Sequence, residues 1–116
     1  MVKLLHIRTG RILADRLEVA RSMAARMRGL LGRDALPPGG GMWIEPCAGI
    51  HTFFMRFALD AVFLDADLAV RKIAPDLKPW RLASCRGARC VVELPAGALD
   101  GVGLAIGDTL RLEESA

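Results

Sequence analysis

Apolar and polar side chains alternate along residues 12–19, with Leu13, Leu17 and Val19 set against Asp15, Arg16 and Glu18. A repeat of two places one face of a strand on a core and the other in water. The run over residues 2–8 precedes it across Thr9-Gly10-Arg11, so the two predict a hairpin. From Ser22 the period lengthens: Met23, Met27 and Leu30 follow i, i+4, i+7, with Ala24 and Leu31 beside them and Arg21 and Arg28 on another face. Ser22 as N-cap and Gly32 as stop predict one helix over 23–31, with the methionines as core filler.

The segment Pro37-Pro38-Gly39-Gly40-Gly41 predicts a loop, because proline lacks an amide donor and glycine favours turns. Strands are predicted at 42–44, 53–55, 61–64 and 68–73, with a break at 46–49 and a hairpin turn at Asp65-Ala66-Asp67. Residues 75–79 read as loop, 88–94 as a strand, 98–102 as a helical turn and 109–112 as a last strand. Many short strands with Gly/Pro turns and one helix predict a mainly β fold. It would be a small sandwich or barrel of short antiparallel strands, with one short amphipathic helix over an opening.

A length of 116 residues suits a single domain. With 53% apolar and 25% charged residues and a formal charge of +3, the chain has the balance of a folded protein, not a disordered one. The scatter of the basic residues argues against a nucleic-acid face; the one loose cluster, Arg21, Arg26, Arg28 and Arg33, is a weak pointer the other way. No apolar run approaches the ~20 residues of a membrane span, and residues 1–10 do not read as a secretory leader. Cys47, Cys85 and Cys90 make an odd count; a Cys85–Cys90 bridge is compatible with the spacing, and a free thiol suits a reducing, cytoplasmic setting.

The stretch 49–65, GIHTFFMRFALDAVFLD, concentrates the candidate chemistry. Asp60 lies between strand-forming apolar residues, and a buried carboxylate needs a donor or a cation. Arg26, His51, Asp60 and Glu93 are therefore the candidate polar cluster, with Asp60 orienting His51, Arg26 contacting an anion, and Met55 and Trp43 as apolar wall. The alternative reading makes the same residues internal braces that satisfy one another and pin strands together, a common structural use of such groups. Cys47, His51 and Met55 suit a soft metal in type, but on one straight strand His51 and Met55 would stand roughly 13 Å apart. A thiol nucleophile, Cys47 or Cys85 with His51, would need a lowered thiol pKa. No phosphate-cradling loop, nucleophile elbow or dinucleotide fingerprint is present. Neither a cofactor nor a metal is called for, and an enzyme is not the favoured reading.

The order Arg26-x-x-Gly29-Leu30-Leu31-Gly32-Arg33, Leu36-Pro37, Gly41-Met42, His51-Thr52-x-x-Met55-x-x-x-x-Asp60, Phe63-Leu64-Asp65, Val92-Glu93-Leu94-Pro95-Ala96-Gly97 and Gly107-Asp108 resembles the bacterial and archaeal family catalogued as domain of unknown function 192. The resemblance covers residues 19–112. Many members carry Phe-Trp-Met-Lys-Asn-Thr in the stretch where this chain has residues 52–57, so this is a His-Thr variant with no residue to carry a role of that Trp, Lys or Asn. The resemblance implies a compact, mostly β fold and no particular reaction. The expected function is a small binding or accessory module with a pocket for a small ligand or a partner's peptide near residues 51–60. The alternative is a structural or protein-interaction module, with a Cys/His enzyme behind both.

Overall fold

The computed structural model describes residues 2–114, with Met27 and Arg28 described in their backbone alone. Nine strands and one helix follow in the order β1 (Val2–His6), β2 (Ile12–Ala20), α1 (Met23–Arg28), β3 (Gly40–Ile44), β4 (Gly49–His51), β5 (Leu59–Leu64), β6 (Val70–Leu77), β7 (Leu82–Ser84), β8 (Cys90–Pro95) and β9 (Leu110–Glu114). Seven strands form one sheet in the order β6-β5-β8-β3-β2-β1-β9, and β4 and β7 form a separate pair. Its two outer strands approach each other at one end, where Ala69 bridges Thr109 and Val70 N donates to the Asp108 carbonyl at 2.8 Å. The sheet is thus curled into a half-barrel, as the mainly β expectation requires. One pair departs from the antiparallel rule: β2 and β3 run parallel, because the chain between them crosses back through α1.

Alternation divides the side chains into two cores. All seven strands contribute to the inner one, which includes Leu4, Leu17, Trp43, Val62, Val92 and Leu110. The outer one lies on the central strands through Met42, Ile44, Ala61, Phe63 and Val91, and is covered by Leu30, Leu36 and Ala83. β5 is buried at every position, which explains its unbroken apolar run around a single acid. Gly40 and Gly41, read as loop, open β3; a Cβ on Gly41 would come within 2.9 Å of both the Glu93 carbonyl and Leu94, so only glycine lets β3 lie against β8.

The helix is shorter than predicted. Ser22 caps it, its Oγ accepting from Ala25 N at 3.1 Å, but it ends at Gly29, whose N–H donates to the Ala25 carbonyl at 2.9 Å. Met23 is 70% exposed and is not core filler; the side chain of Met27 lies outside the described residues. Ala25 and Leu30 make the core contact instead. The strand expected at 53–55 is a turn, and pairing begins earlier, in β4. Strand β6 runs through Pro75 to Leu77, where a loop was expected. No helix among the described residues is long and apolar enough to cross a membrane.

Asp60 is 1% exposed and points into the inner layer, on the same face of β5 as Val62 and Leu64. Its Oδ1 accepts from Asp76 N at 2.8 Å and its Oδ2 from Leu99 N at 3.2 Å. The expected partner is therefore a pair of backbone amides, which tie β5 to β6 and to the turn after β8, and not to the helix. At the far end His6, fully buried, joins Asp108 through Nε2 (2.8 Å) and Thr9 Oγ1 through Nδ1 (2.8 Å). Arg8 holds the same Asp108 from outside and, with the other hydrogen bonds to this carboxyl, keeps it well below the usual carboxylate range.

Asp60→Ala leaves two amide donors in the interior without acceptors and is expected to cost about 2–4 kcal/mol in urea denaturation, with Asp60→Asn, which keeps one acceptor, costing less. A loss below about 1 kcal/mol for the alanine variant would contradict this role.

Candidate functional site

A cavity of about 260 Å³ opens on the outer face of the sheet, between the end of α1, the segment after β3, strand β4 and the turn that follows it. Leu30, Leu31, Ile44 and Ile50 supply its apolar wall, and Arg26, Cys47, His51, Met55 and Glu93 its polar and sulfur-bearing groups. Each arrives for a local reason. Arg26 sits in the last turn of α1, where the early stop at Gly29 leaves its side chain over the sheet. Glu93 is carried by β8, whose alternation puts Val91 and Glu93 outward and Cys90, Val92 and Leu94 inward. Met55 returns to the cavity because the chain turns at 52–55, with Met55 N donating to the Thr52 carbonyl at 3.2 Å. The turn removes the separation that a straight strand would impose on His51 and Met55.

The electrostatics of this cavity are incomplete. Arg26 donates one hydrogen bond, from Nη1 to the Pro46 carbonyl at 3.2 Å. Its Nε is buried with no partner, the one such side-chain nitrogen or oxygen among the described residues. Glu93 is 5% exposed, and no hydrogen bond or ion pair reaches its carboxyl among the described residues. Burial alone pushes it up to about 7. Burial likewise pushes up the Cys47 thiol, which donates to the Gly49 carbonyl at 3.1 Å. That is the wrong direction for a nucleophile. All three cysteines are free, and Cys90, behind the sheet, is pushed up to about 12 by its burial.

Of the six residues expected at one site, four meet: Arg26, His51, Met55 and Glu93 all line the cavity. Trp43 and Asp60 do not. Both project from the opposite face of the sheet, Trp43 into the inner core with its Nε1 donating to Glu45 Oε1 at 3.1 Å. The expected Asp60–His51 contact is absent; His51 is exposed, and its Nδ1 accepts from Phe53 N at 3.3 Å. Cys47, Ile44 and Ile50 form the wall in place of Trp43. Two members of the loose arginine cluster are paired with acids, Arg21 with Glu45 (3.3 Å) and Arg33 with both oxygens of Glu18 (2.5 and 2.9 Å). The side chain of Arg28 lies outside the described residues.

The chain is similar to a UPF0127 protein of Thermococcus sibiricus, 33% identical over 90% of this chain and 70% of that protein. It is also similar to a UPF0127 protein of Pyrococcus furiosus, 37% identical over 55% of each. The chain thus spans little more than half the length of the second relative. Two crystal structures share the fold with TM-scores of 0.80. One is of a candidate transcription regulator from Sinorhizobium meliloti 1021, 26% identical over 95% of this chain and 90% of that one. The other is of a protein of unknown function from Novosphingobium aromaticivorans DSM 12444, 25% identical over 95% and 82%. The family model described as "Uncharacterized ACR, COG1430" matches residues 5–112, and the chain belongs to that family, domain of unknown function 192.

Proposed function

We propose that the cavity beneath α1 binds a small organic anion, a carboxylate with a short apolar body. One observation carries the reading: a buried guanidinium nitrogen, Arg26 Nε, has no partner among the described residues, and it shares one small cavity with a buried acid, Glu93, to which no described residue gives a hydrogen bond or ion pair. A buried donor left unmade costs about 1–3 kcal/mol, and a purely structural brace would have closed the two groups into an ion pair. The apolar lining adds room for a hydrocarbon portion, and His51 stands at the rim as donor or acceptor.

Glu93 sets the charge of the cavity. Below about pH 7 its acid is neutral and Arg26 presents an uncompensated positive charge; above it the carboxylate forms and opposes an incoming anion. Affinity for a carboxylate therefore falls as pH rises through 7. The nucleophile alternative gains nothing here, since the thiol in the cavity is held in its neutral form.

Titration with butanoate, followed by NMR of backbone amides, is expected to give saturable shifts around Arg26, His51 and Glu93 that are stronger at pH 6 than at pH 8. Arg26→Gln should weaken binding by about ten-fold or more, the worth of one charge-assisted hydrogen bond, while His51→Ala leaves the melting temperature nearly unchanged because that ring is exposed. Butanoate shifts that are absent at pH 6, or unchanged in Arg26→Gln, would reject the site.

Stability carries the same signature. The folded state holds the Glu93 proton up to about pH 7, whereas the unfolded chain releases it in the ordinary glutamate range. Stability thus falls as pH rises between those limits, by roughly 3 kcal/mol, and is flat above. Glu93→Gln removes this slope and is expected to be the more stable protein at pH 8 by up to that amount. Denaturation at pH 5 and pH 8 checks it; a glutamine variant with the parent's slope would place the titration elsewhere.

A further inference from the structure

Four rings run in contact across the end of the molecule that carries β4 and β7. His51 stacks on Phe53 (centroids 5.1 Å apart), Phe53 stacks on Trp80 (5.7 Å) and Phe54 tilts onto Trp80 (4.7 Å). Packing does not hide them: Phe54 is 71%, Trp80 56% and the neighbouring Leu82 73% exposed. Phe54 and Trp80 also sit at positive φ, 64° and 66°, a backbone conformation that bulky side chains rarely adopt. The loops that hold them are pinned to each other by Thr52, which is fully buried. Its Oγ1 donates to the Lys78 carbonyl (2.6 Å) and accepts from Arg81 N (2.8 Å), while its carbonyl accepts from Trp80 N (2.9 Å). The fold therefore maintains an unfavourable backbone at two adjoining loop tips in order to leave two large rings in water.

The surroundings are basic. Arg56, Lys78 and Arg81 adjoin the rings in sequence and Lys72 lines a surface depression with His51 and Leu82, against Asp34 and Asp76, which make exposed pairs with Arg56 (2.7 Å) and Lys78 (3.0 Å). Such pairs hold little energy in water and exchange readily for other anions. We propose that this end of the protein docks on an anionic lipid bilayer, with Phe54, Trp80 and Leu82 entering the interface and the flanking cations meeting headgroup phosphates.

Three features favour a bilayer over other occupants. The rings stand on protruding tips, so they suit a deformable surface that needs no matching pocket. Phe53 stacks on Trp80 and Phe54 tilts onto it, so the rings lie against one another instead of standing apart as separate platforms for successive nucleic-acid bases. A second copy of this chain would set the same cations against one another across a two-fold axis. The docking rests on other residues than Arg26 and Glu93, apart from His51, which belongs both to the ring chain and to the cavity.

The test is co-sedimentation of the full chain with phosphatidylcholine vesicles, with and without half phosphatidylglycerol. Trp43 is 1% exposed, so a blue shift of emission on binding reports Trp80. Binding to the anionic vesicles with that shift, weakened by salt, is expected. The double variant F54N/W80N, which keeps residues tolerant of positive φ, should lose roughly ten-fold or more in partitioning, and Leu82→Gln, on a strand surface, should weaken it independently. Absence of binding to anionic vesicles, equal binding by parent and variants, binding to single-stranded oligo(dT) with vesicles inert, or a lipid-free dimer that buries Trp80 would each overturn the proposal.

Discussion

Two carboxylates are buried in neighbouring strands of the sheet, and what each finds to bond with organises the molecule. In the β5–β8 pair Asp60 lies opposite Leu94 and Ala61 opposite Glu93, so the two acids are one residue out of step. The two-residue repeat of a strand then sends them to opposite faces. Asp60 meets two backbone amides and needs no counter-charge, because N–H donors alone can hold a carboxylate. Glu93 meets none. The inner layer is thereby closed and complete, and the outer layer keeps a titratable group facing a cavity in which an arginine donor is also unspent.

The sequence pattern carries the elements that depend on periodicity. The β1–β2 hairpin, β5, β8 and β9 are legible because alternation or an unbroken apolar run is long enough to register before a glycine turn. Strands β4 and β7 are three residues each, shorter than any repeat, and exist because Thr52 and the 78–81 loop hold the chain beside itself. Phe53 and Phe54 are strong strand formers, yet tertiary hydrogen bonding bends the chain at them. Pro75 is tolerated inside β6 because that strand ends the sheet order, where a missing amide forfeits no ladder bond on its free side.

For the site, residue type was informative and face was not. Arg26, His51 and Glu93 stand out in the sequence as polar groups in apolar surroundings and Met55 as apolar wall, and all four line one cavity; Asp60 is buried elsewhere. Assigning Asp60 and Trp43 to the same pocket required the register of β5 and β3, which a sequence without pairing information does not contain. Cys47 reads from the sequence as a thiol, whereas in the fold it forms part of the cavity wall. His6 gave no signal at all: its burial follows from the closing of β1 against β9 and the 107–109 turn, a contact between residues about a hundred positions apart.

The cavity and the aromatic tip share one construction. Turning the chain at 52–55 brings Met55 back over the sheet and, by the same rotation, throws Phe54 outward at positive φ. Left to themselves, exposed rings on mobile loops would collapse onto the nearest apolar surface; here a buried threonine hydroxyl, bonded on both sides, fixes the two tips against each other. Rings already fixed in place lose little further conformational freedom when they meet a surface, so more of their apolar burial is retained as affinity. A tip whose rings were merely unpacked would show no such fastening beneath it.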